Sequence, residues 1–422
     1  MRRRRRWRAI PCCCLRPARA STCSPTTRTA GGGSRSMCMS WADPQTMTLR
    51  WPDAGAAERP RHRDQTILVL TLLLVAVGLG MIYSASGVMA YKRFGDPSYF
   101  LKRQMLWLVF GLVCLLAVAR TDLNRLRRWA VPLLFLGALG VVLVLIPGVG
   151  VTVKGARRWL RIGMWTVQPS ELVKVGILLY LAHYLAKKGS RITDFWRGFV
   201  PPLVVVGAIV GLILIEPDMG TAAVIGLVTL GLLFVGGARL GHLLLIGLAA
   251  LPVLYLLVMR VSYRRQRILS FLDPWSDPTG SGFQVIQSFL ALGSGGVSGV
   301  GLGEGRQKLF YLPEPHTDFV LSALGEEAGF LGTIAVLLLL GWFVARGFAI
   351  ALEADDPFAR YLALGVCFFV GFHTLINVGV ITGLLPTKGL TLPFVSYGGS
   401  SLVVNMIGTG LLIAVSRHRP PI

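Results

Sequence analysis

Charge is what this chain is shortest of. Only 15% of its 422 residues are Asp, Glu, Lys or Arg, where a soluble domain carries about 25%. Acids are scarcest, 20 against 43 Lys and Arg. With 53% apolar residues a soluble globular protein is excluded. A disulfide framework is missing as well. Five of the seven Cys (Cys12, Cys13, Cys14, Cys23 and Cys38) crowd into residues 1–63, with no paired His to make a zinc site. Cys114 and Cys367 fall inside apolar runs, where a free thiol is a small hydrophobe. The glycine series from Gly293 to Gly305 has no Gly-Lys-Ser/Thr and follows no strand, which excludes a nucleotide loop. It reads as backbone freedom, for tight turns or for amides approaching an anion.

What the chain has instead is long apolar runs. Ten of them, at 66–86, 104–119, 129–148, 170–186, 199–215, 219–236, 241–259, 318–345, 359–384 and 397–415, suit a hydrocarbon core about 30 Å thick. They predict an all-α polytopic membrane protein of about ten transmembrane helices over residues 64–418. A long extracytoplasmic loop, 260–317, separates helices seven and eight. It holds Phe271, Trp275, Phe283, Phe289 and Phe310, too apolar for a solvated linker, and is expected to pack on the outer leaflet as short amphipathic or re-entrant pieces.

Residues 1–63 carry 14 Arg against Asp43, Asp53 and Glu58. They read as a basic, disordered cytoplasmic tail, or as a start placed too early, with Met37, Met39 and Met47 as alternatives. Nucleic-acid binding is set aside, because no folded module follows Arg2 to Arg6. An even number of spans puts both termini on one side, and the tail with Arg417 and Arg419 makes that side the cytoplasm. Without the tail, Lys and Arg divide 13 inside to 15 outside. Basic residues kept outside against the usual bias point to an anionic ligand there.

Ionisable residues at membrane depth are functional candidates. The first cluster runs Lys154-Gly155-Ala156-Arg157-Arg158-Trp159, then Gln168-Pro169-Ser170-Glu171 and Lys174. Ser170 is expected to cap the fourth span. Glu171 and Lys174 then share a helix face and pair, either to neutralise each other or to meet substrate. Arg158 is a snorkelling residue or a fork for a diphosphate. In Glu216-Pro217-Asp218-Met219-Gly220-Thr221, Asp218 is expected to cap the sixth span. The sharpest cluster is Leu312-Pro313-Glu314-Pro315-His316-Thr317-Asp318-Phe319. Thr317 or Asp318 opens the eighth span, so that Asp318, Ser322 and Glu326 form one stripe. Helix capping by Asp318 is the plain alternative, but capping leaves the second acid two turns deeper unexplained. The last cluster, Leu385 to Phe394 with Lys388, then Ser396-Tyr397-Gly398-Gly399-Ser400-Ser401, breaks the chain between spans. Such breaks persist where they line a cavity.

These motifs, in this order, resemble the SEDS family, the FtsW, RodA and SpoVE type of bacterial wall-synthesis membrane proteins, over residues 60–418. Lys388 within Leu385-Pro386-Thr387-Lys388-Gly389-Leu390 is similar to the cell-division type; the elongation type usually has a neutral residue there. Glu216 and Phe283 stand where Gln and Tyr are common. The resemblance implies a peptidoglycan glycosyltransferase that polymerises lipid II, a disaccharide-pentapeptide on undecaprenyl pyrophosphate, at the outer face of the bacterial plasma membrane. Asp318 aligns with the family's essential acid, and a class B penicillin-binding transpeptidase and other division proteins are the implied partners. Such a reaction needs one carboxylate base and cations for the leaving diphosphate. Asp318 is the expected base. Arg158, Glu171, Lys174, His316, Glu326, Lys388 and Ser396 are the expected substrate contacts, with Arg157 and Lys308 behind them. No metal-ligand spacing declares itself, though a divalent cation, Mg or Mn, suits the pyrophosphate. A flippase for the same lipid is the rival reading.

Overall fold

The computed structural model describes residues 64–417, apart from 154–155, 164, 310–311, 313–314 and 388. The basic tail therefore lies outside the described residues. So do Lys388, Pro313 and Glu314.

The apolar runs are helices: α1 (Gln65–Phe94), α2 (Tyr99–Arg120), α3 (Leu123–Leu145), α4 (Pro169–Lys188), α5 (Val200–Ile215), α6 (Met219–Val235) and α7 (Leu240–Met259). After two further helices, α8 (Ser262–Leu272) and α9 (Phe283–Gly295), come α10 (Val320–Leu352), α11 (Pro357–Ile381) and α12 (Gly399–Arg417). Among the described residues eight helices are long and apolar enough to cross a membrane. The expected ten include two that fall short. α6 has 17 residues, and α4 carries Glu171, Lys174, Lys187 and Lys188. Both are packed among other helices, α4 against α3, α11 and α12, and α6 against α5 and α11. A helix shielded by protein does not have to match the lipid along its whole length.

Close approach fixes the α3–α4 crossing. A Cβ at Gly176 would sit 2.8 Å from the Leu134 Cα, and one at Gly137 would sit 2.9 Å from the Val173 Cα. Small residues on both helices let the backbones meet. Three polar ties gather the helix ends on one face. Arg346 Nε bonds Asp64 at 2.7 Å, Arg127 Nη2 bonds Asp356 at 2.7 Å, and Arg417 Nη1 bonds the Ala119 carbonyl at 2.7 Å. Residues 64 and 417 thus lie at the same side of the bundle, as an even number of spans requires.

The opposite face holds the connections. Between α3 and α4 is an antiparallel sheet of β1 (Gly150–Val153), β2 (Ala156–Ile162) and β3 (Trp165–Val167), in the order β1-β2-β3. Trp165 meets Trp107 of α2 edge-on at 4.7 Å. The long loop between α7 and α10 contains α8 and α9, with α9 lying on α10.

Its glycine series does something the sequence does not announce. α10 breaks at Gly329, whose φ is 68° and ψ −165°. The amides of Phe330 and Leu331 turn instead to the carbonyls of Gly296 and Val297, at 2.9 and 3.1 Å. Their former helical acceptors, the carbonyls of Glu326 and Glu327, take the amides of Val300 and Gly301 at 3.0 and 3.1 Å. The loop is spliced into the helical ladder and each broken bond is replaced, which is what tolerates a break at membrane depth. Gly299 (φ 82°) is required there, because a Cβ would meet the Glu327 carbonyl oxygen at 2.1 Å.

Candidate active site

Asp318 stands in the turn just before α10, half-buried. Helix α10 begins at Val320 with Phe319 at the cap position, so Asp318 lies outside the helix rather than opening it. Its carboxylate lies against the segment that joins α11 to α12. A Cβ on Gly389 would sit 3.2 Å from Asp318 Oδ2, so any larger residue there would press on the carboxylate. One side chain sets the spacing: Asn377 Nδ2 of α11 donates to the carbonyls of both Asp318, at 3.2 Å, and Leu390, at 2.9 Å.

That joining segment folds back into the bundle. Phe394 packs on Phe343 of α10 at 5.2 Å, and Gly78 of α1 is closed off by the backbone of Phe394 and Val395. Arg267 Nη1 of α8 bonds the Thr387 carbonyl at 2.8 Å. His316 is buried between the rings of Phe100 and Tyr397, and its carbonyl accepts the Tyr397 amide at 2.8 Å. Ser396 closes a turn, its hydroxyl accepting the Leu392 amide at 2.8 Å. His316 and Ser396 therefore shape the surroundings of Asp318.

A second polar group adjoins this one. Gln168 joins α4 to α12 through its amide, which donates to Ser400 Oγ at 3.1 Å, and Gln168 Nε2 donates to Asp218 Oδ2 at 3.2 Å. Asp218 caps α6 by accepting the Thr221 amide at 3.1 Å, as expected. Ser170 does not cap α4: Gln168 holds that position and Pro169 is the first helical residue. A proline's missing N–H suits it to that place. The Ser170 hydroxyl instead accepts from Gln168 Nε2 at 3.0 Å. Arg158 Nε donates to the Glu216 carbonyl at 3.0 Å, and its Nη2 to the Pro217 carbonyl. The guanidinium thereby fixes the outer turn between α5 and α6. Beneath, Glu171 and Lys174 pair as their spacing predicts, at 2.6 Å with both side chains buried. His373 Nδ1 is 2.9 Å from the Phe369 carbonyl, which makes it the protonated nitrogen. Nε2 then turns a lone pair toward Lys174 Nζ at 3.4 Å.

Glu326 is not brought to Asp318. It is 2% exposed and accepts the amides of Arg306 at 2.7 Å and Gln307 at 3.1 Å. Ser322 pairs with Ser288 of α9 at 2.7 Å. The expected stripe of Asp318, Ser322 and Glu326 is thus divided, because the first lies outside the helix and the other two face the loop. Glu327 completes that arrangement. It meets Lys308 Nζ at 2.7 Å, Ser84 Oγ of α1 at 2.6 Å and the Gly303 amide at 3.0 Å. The loop amides do approach anions, and the anions are the chain's own carboxylates.

The family model FTSW_RODA_SPOVE, described as cell cycle protein, matches residues 64–420. The chain belongs to this family. It is 47% identical over 353 residues to the "Probable peptidoglycan glycosyltransferase FtsW" of Geobacter metallireducens, spanning 84% of this chain and 94% of that one. It is 44% identical over 355 residues to the stage V sporulation protein E of Bacillus subtilis, spanning 84% and 96%. Among solved structures, a chain from work on the structural coordination of polymerization and crosslinking by a peptidoglycan synthase complex aligns with a TM-score of 0.70. It is 37% identical, with 84% of this chain and 98% of that chain covered. The rod shape determining protein RodA of Thermus thermophilus aligns with a TM-score of 0.63 at 32% identity, with 84% and 97% covered.

Sequence reasoning missed Asn377, His373 and Glu327, the acid that pairs with Lys308. Each had a signal: a polar residue inside an apolar run, which in lipid must find a partner. Among the described residues no three His, Cys, Asp or Glu gather as metal ligands.

Proposed function

We infer that this chain is a multi-pass peptidoglycan glycosyltransferase of the cell-division type, which polymerises lipid II at the outer face of the bacterial plasma membrane. Both termini are cytoplasmic in this reading. The observation that carries it is the placement of Asp318: a carboxylate at the meeting point of the outer connections, with a glycine opposite and its backbone pinned by Asn377. The relatives' names support the chemistry, and identities of 46–48% to proteins named FtsW support the division type.

In this mechanism Asp318 accepts the proton of the acceptor sugar hydroxyl as that oxygen attacks the donor's anomeric carbon. The bond to undecaprenyl pyrophosphate breaks with inversion, and no enzyme nucleophile is needed. Arg158 and Lys388 meet the charge that develops on the diphosphate. Glu171 and Lys174 hold the start of α4 beneath them. A divalent cation, Mg or Mn, would enter with the pyrophosphate rather than reside on the chain. A class B penicillin-binding transpeptidase is the proposed partner at the septum, supported by the likeness to a chain of a synthase complex.

The test is a reconstitution. Purified full chain with its transpeptidase and fluorescent lipid II is expected to give a ladder of lengthening glycan strands. Lipid II crossing the bilayer with no ladder would establish the flippase instead.

A further inference from the structure

A cavity of about 750 Å³ opens between α1 and α10, beside the site already described. Its walls are apolar, with Val77 and Met81 from α1 and Val336 and Leu339 from α10. Gly80 and Gly332 widen it. Both helices are long and apolar enough to cross a membrane, so an apolar trough between them suits a lipid chain. Its outer end is polar and already neutral within itself. Lys308 Nζ donates to Glu327 at 2.7 Å, Ser84 at 2.9 Å and the Gly303 carbonyl at 2.6 Å.

Beyond that end the neighbouring segments carry basic residues. Ser84, Val88 and Lys92 recur every four residues on α1, so Lys92 continues the stripe that lines the trough. Arg93 ends the same helix and Arg306 stands on the facing loop, all three exposed. Glu304 is the exposed acid nearby in sequence, and Asp96 is paired with Lys102 at 2.8 Å. An apolar trough with basic residues beyond its polar end complements an amphiphile with a long chain and an anionic head.

We propose that this trough holds the isoprenoid chain of the acceptor, the polyprenyl diphosphate lipid whose diphosphate is retained, with that end turned toward Lys92, Arg93 and Arg306 and apart from the departing diphosphate at Arg158 and Lys388. The proposal rests on the glycosyltransferase reading for its choice of chain. The widening at Gly80 and Gly332 suits a methyl-branched chain better than a slim acyl chain. The Lys308–Glu327–Ser84 cluster marks where chain gives way to headgroup. It also ties α1 to the loop that leads on to His316 and Asp318.

Gly80→Leu tests it with little strain, because a Cβ at Gly80 has nothing within 4 Å and leucine is the better helix former. Ala335→Leu fills the trough from the opposite helix. Gly207→Leu on α5, also with nothing within 4 Å, is the matched control. Binding of undecaprenyl phosphate and of dioleoyl phosphatidylglycerol to the full chain is read by native mass spectrometry. Both trough variants are expected to lose undecaprenyl phosphate affinity about tenfold, the effect of about two methylenes kept from burial. Phosphatidylglycerol binding and the control are expected to stay unchanged, and KM for lipid II to rise with kcat retained. Undecaprenyl phosphate binding at parental strength in both variants overturns the proposal, as does equal loss of phosphatidylglycerol. If the parent binds undecaprenyl phosphate, loses it on Gly80→Leu and yet never polymerises lipid II, the trough stands and the glycosyltransferase reading fails.

Discussion

Glu216 is fully buried, and neither of its carboxylate oxygens has a hydrogen-bond partner among the described residues. Burial pushes its carboxyl from an ordinary 4.5 up to about 8, with the Asp218 charge adding to the effect and Arg158 opposing it. The folded chain therefore holds a proton there that the unfolded chain releases. That contribution to stability is complete below about pH 4.5 and is lost as pH rises through about 8. Thermal unfolding in detergent should show Tm falling from pH 6 to pH 9, and Glu216→Gln should flatten the fall. Gln is the residue common here in the family that the motifs resemble. A slope unchanged by the substitution would assign the pH dependence elsewhere. Lys174 poses the reverse problem, a buried cation whose acid is present. Lys174→Ala alone strands Glu171 and is expected to cost about 3–5 kcal/mol. Replacing both, as Glu171→Leu with Lys174→Met, should recover most of it. Turnover that stays low in the refolded double variant would mean the pair does more than neutralise itself; full turnover would limit it to a structural role.

At the scale of elements, the splice between the glycine loop and α10 anchors the loop that precedes Asp318. Glu326 and Glu327 clamp residues 303–308, and the same loop leads directly to His316 and Asp318. Glu327→Gln keeps the shape but removes the charge that pairs with Lys308. Amides of residues 300–308 should then exchange faster with deuterium, while those of α11 and α12 keep their protection. Uniform loosening would mean that Glu327 supports the bundle at large. Little of this was legible beforehand. The spans were, because lipid demands long apolar runs, and the expected boundaries fall within several residues of the helices. The sheet at 150–167 was not: its strands hold four, seven and three residues, too short for a periodicity to declare itself. The division of the Asp318–Ser322–Glu326 stripe was hidden too, since it depends on a kink whose backbone partners lie some thirty residues away. Helical spacing alone kept the three together.

For the whole molecule, the polar ties collect on the two faces and the apolar helices stand between them. α7 is the exception in packing: none of its residues is buried, and it touches α6 and α8 chiefly at its ends. The rest of the bundle carries the outer connections as one platform, where α1, α2, α4, α6, α8, α10 and α11 each contact the segment that joins α11 to α12 or the first turn of α12. The site was legible as a set of motifs and not as a geometry. Asp318, Glu171 and Lys174 were found by type and depth, whereas Asn377, which spaces Asp318 from Leu390, was indistinguishable from other polar residues in a span. The account turns on Asp318 as the proton acceptor. The direct measurement is lipid II polymerisation by purified Asp318→Asn chain with its transpeptidase, beside the parent and with thermal unfolding recorded for both. The account predicts loss of glycan strands to background with Tm unchanged. Strand synthesis at the parental rate by the Asn variant would contradict it.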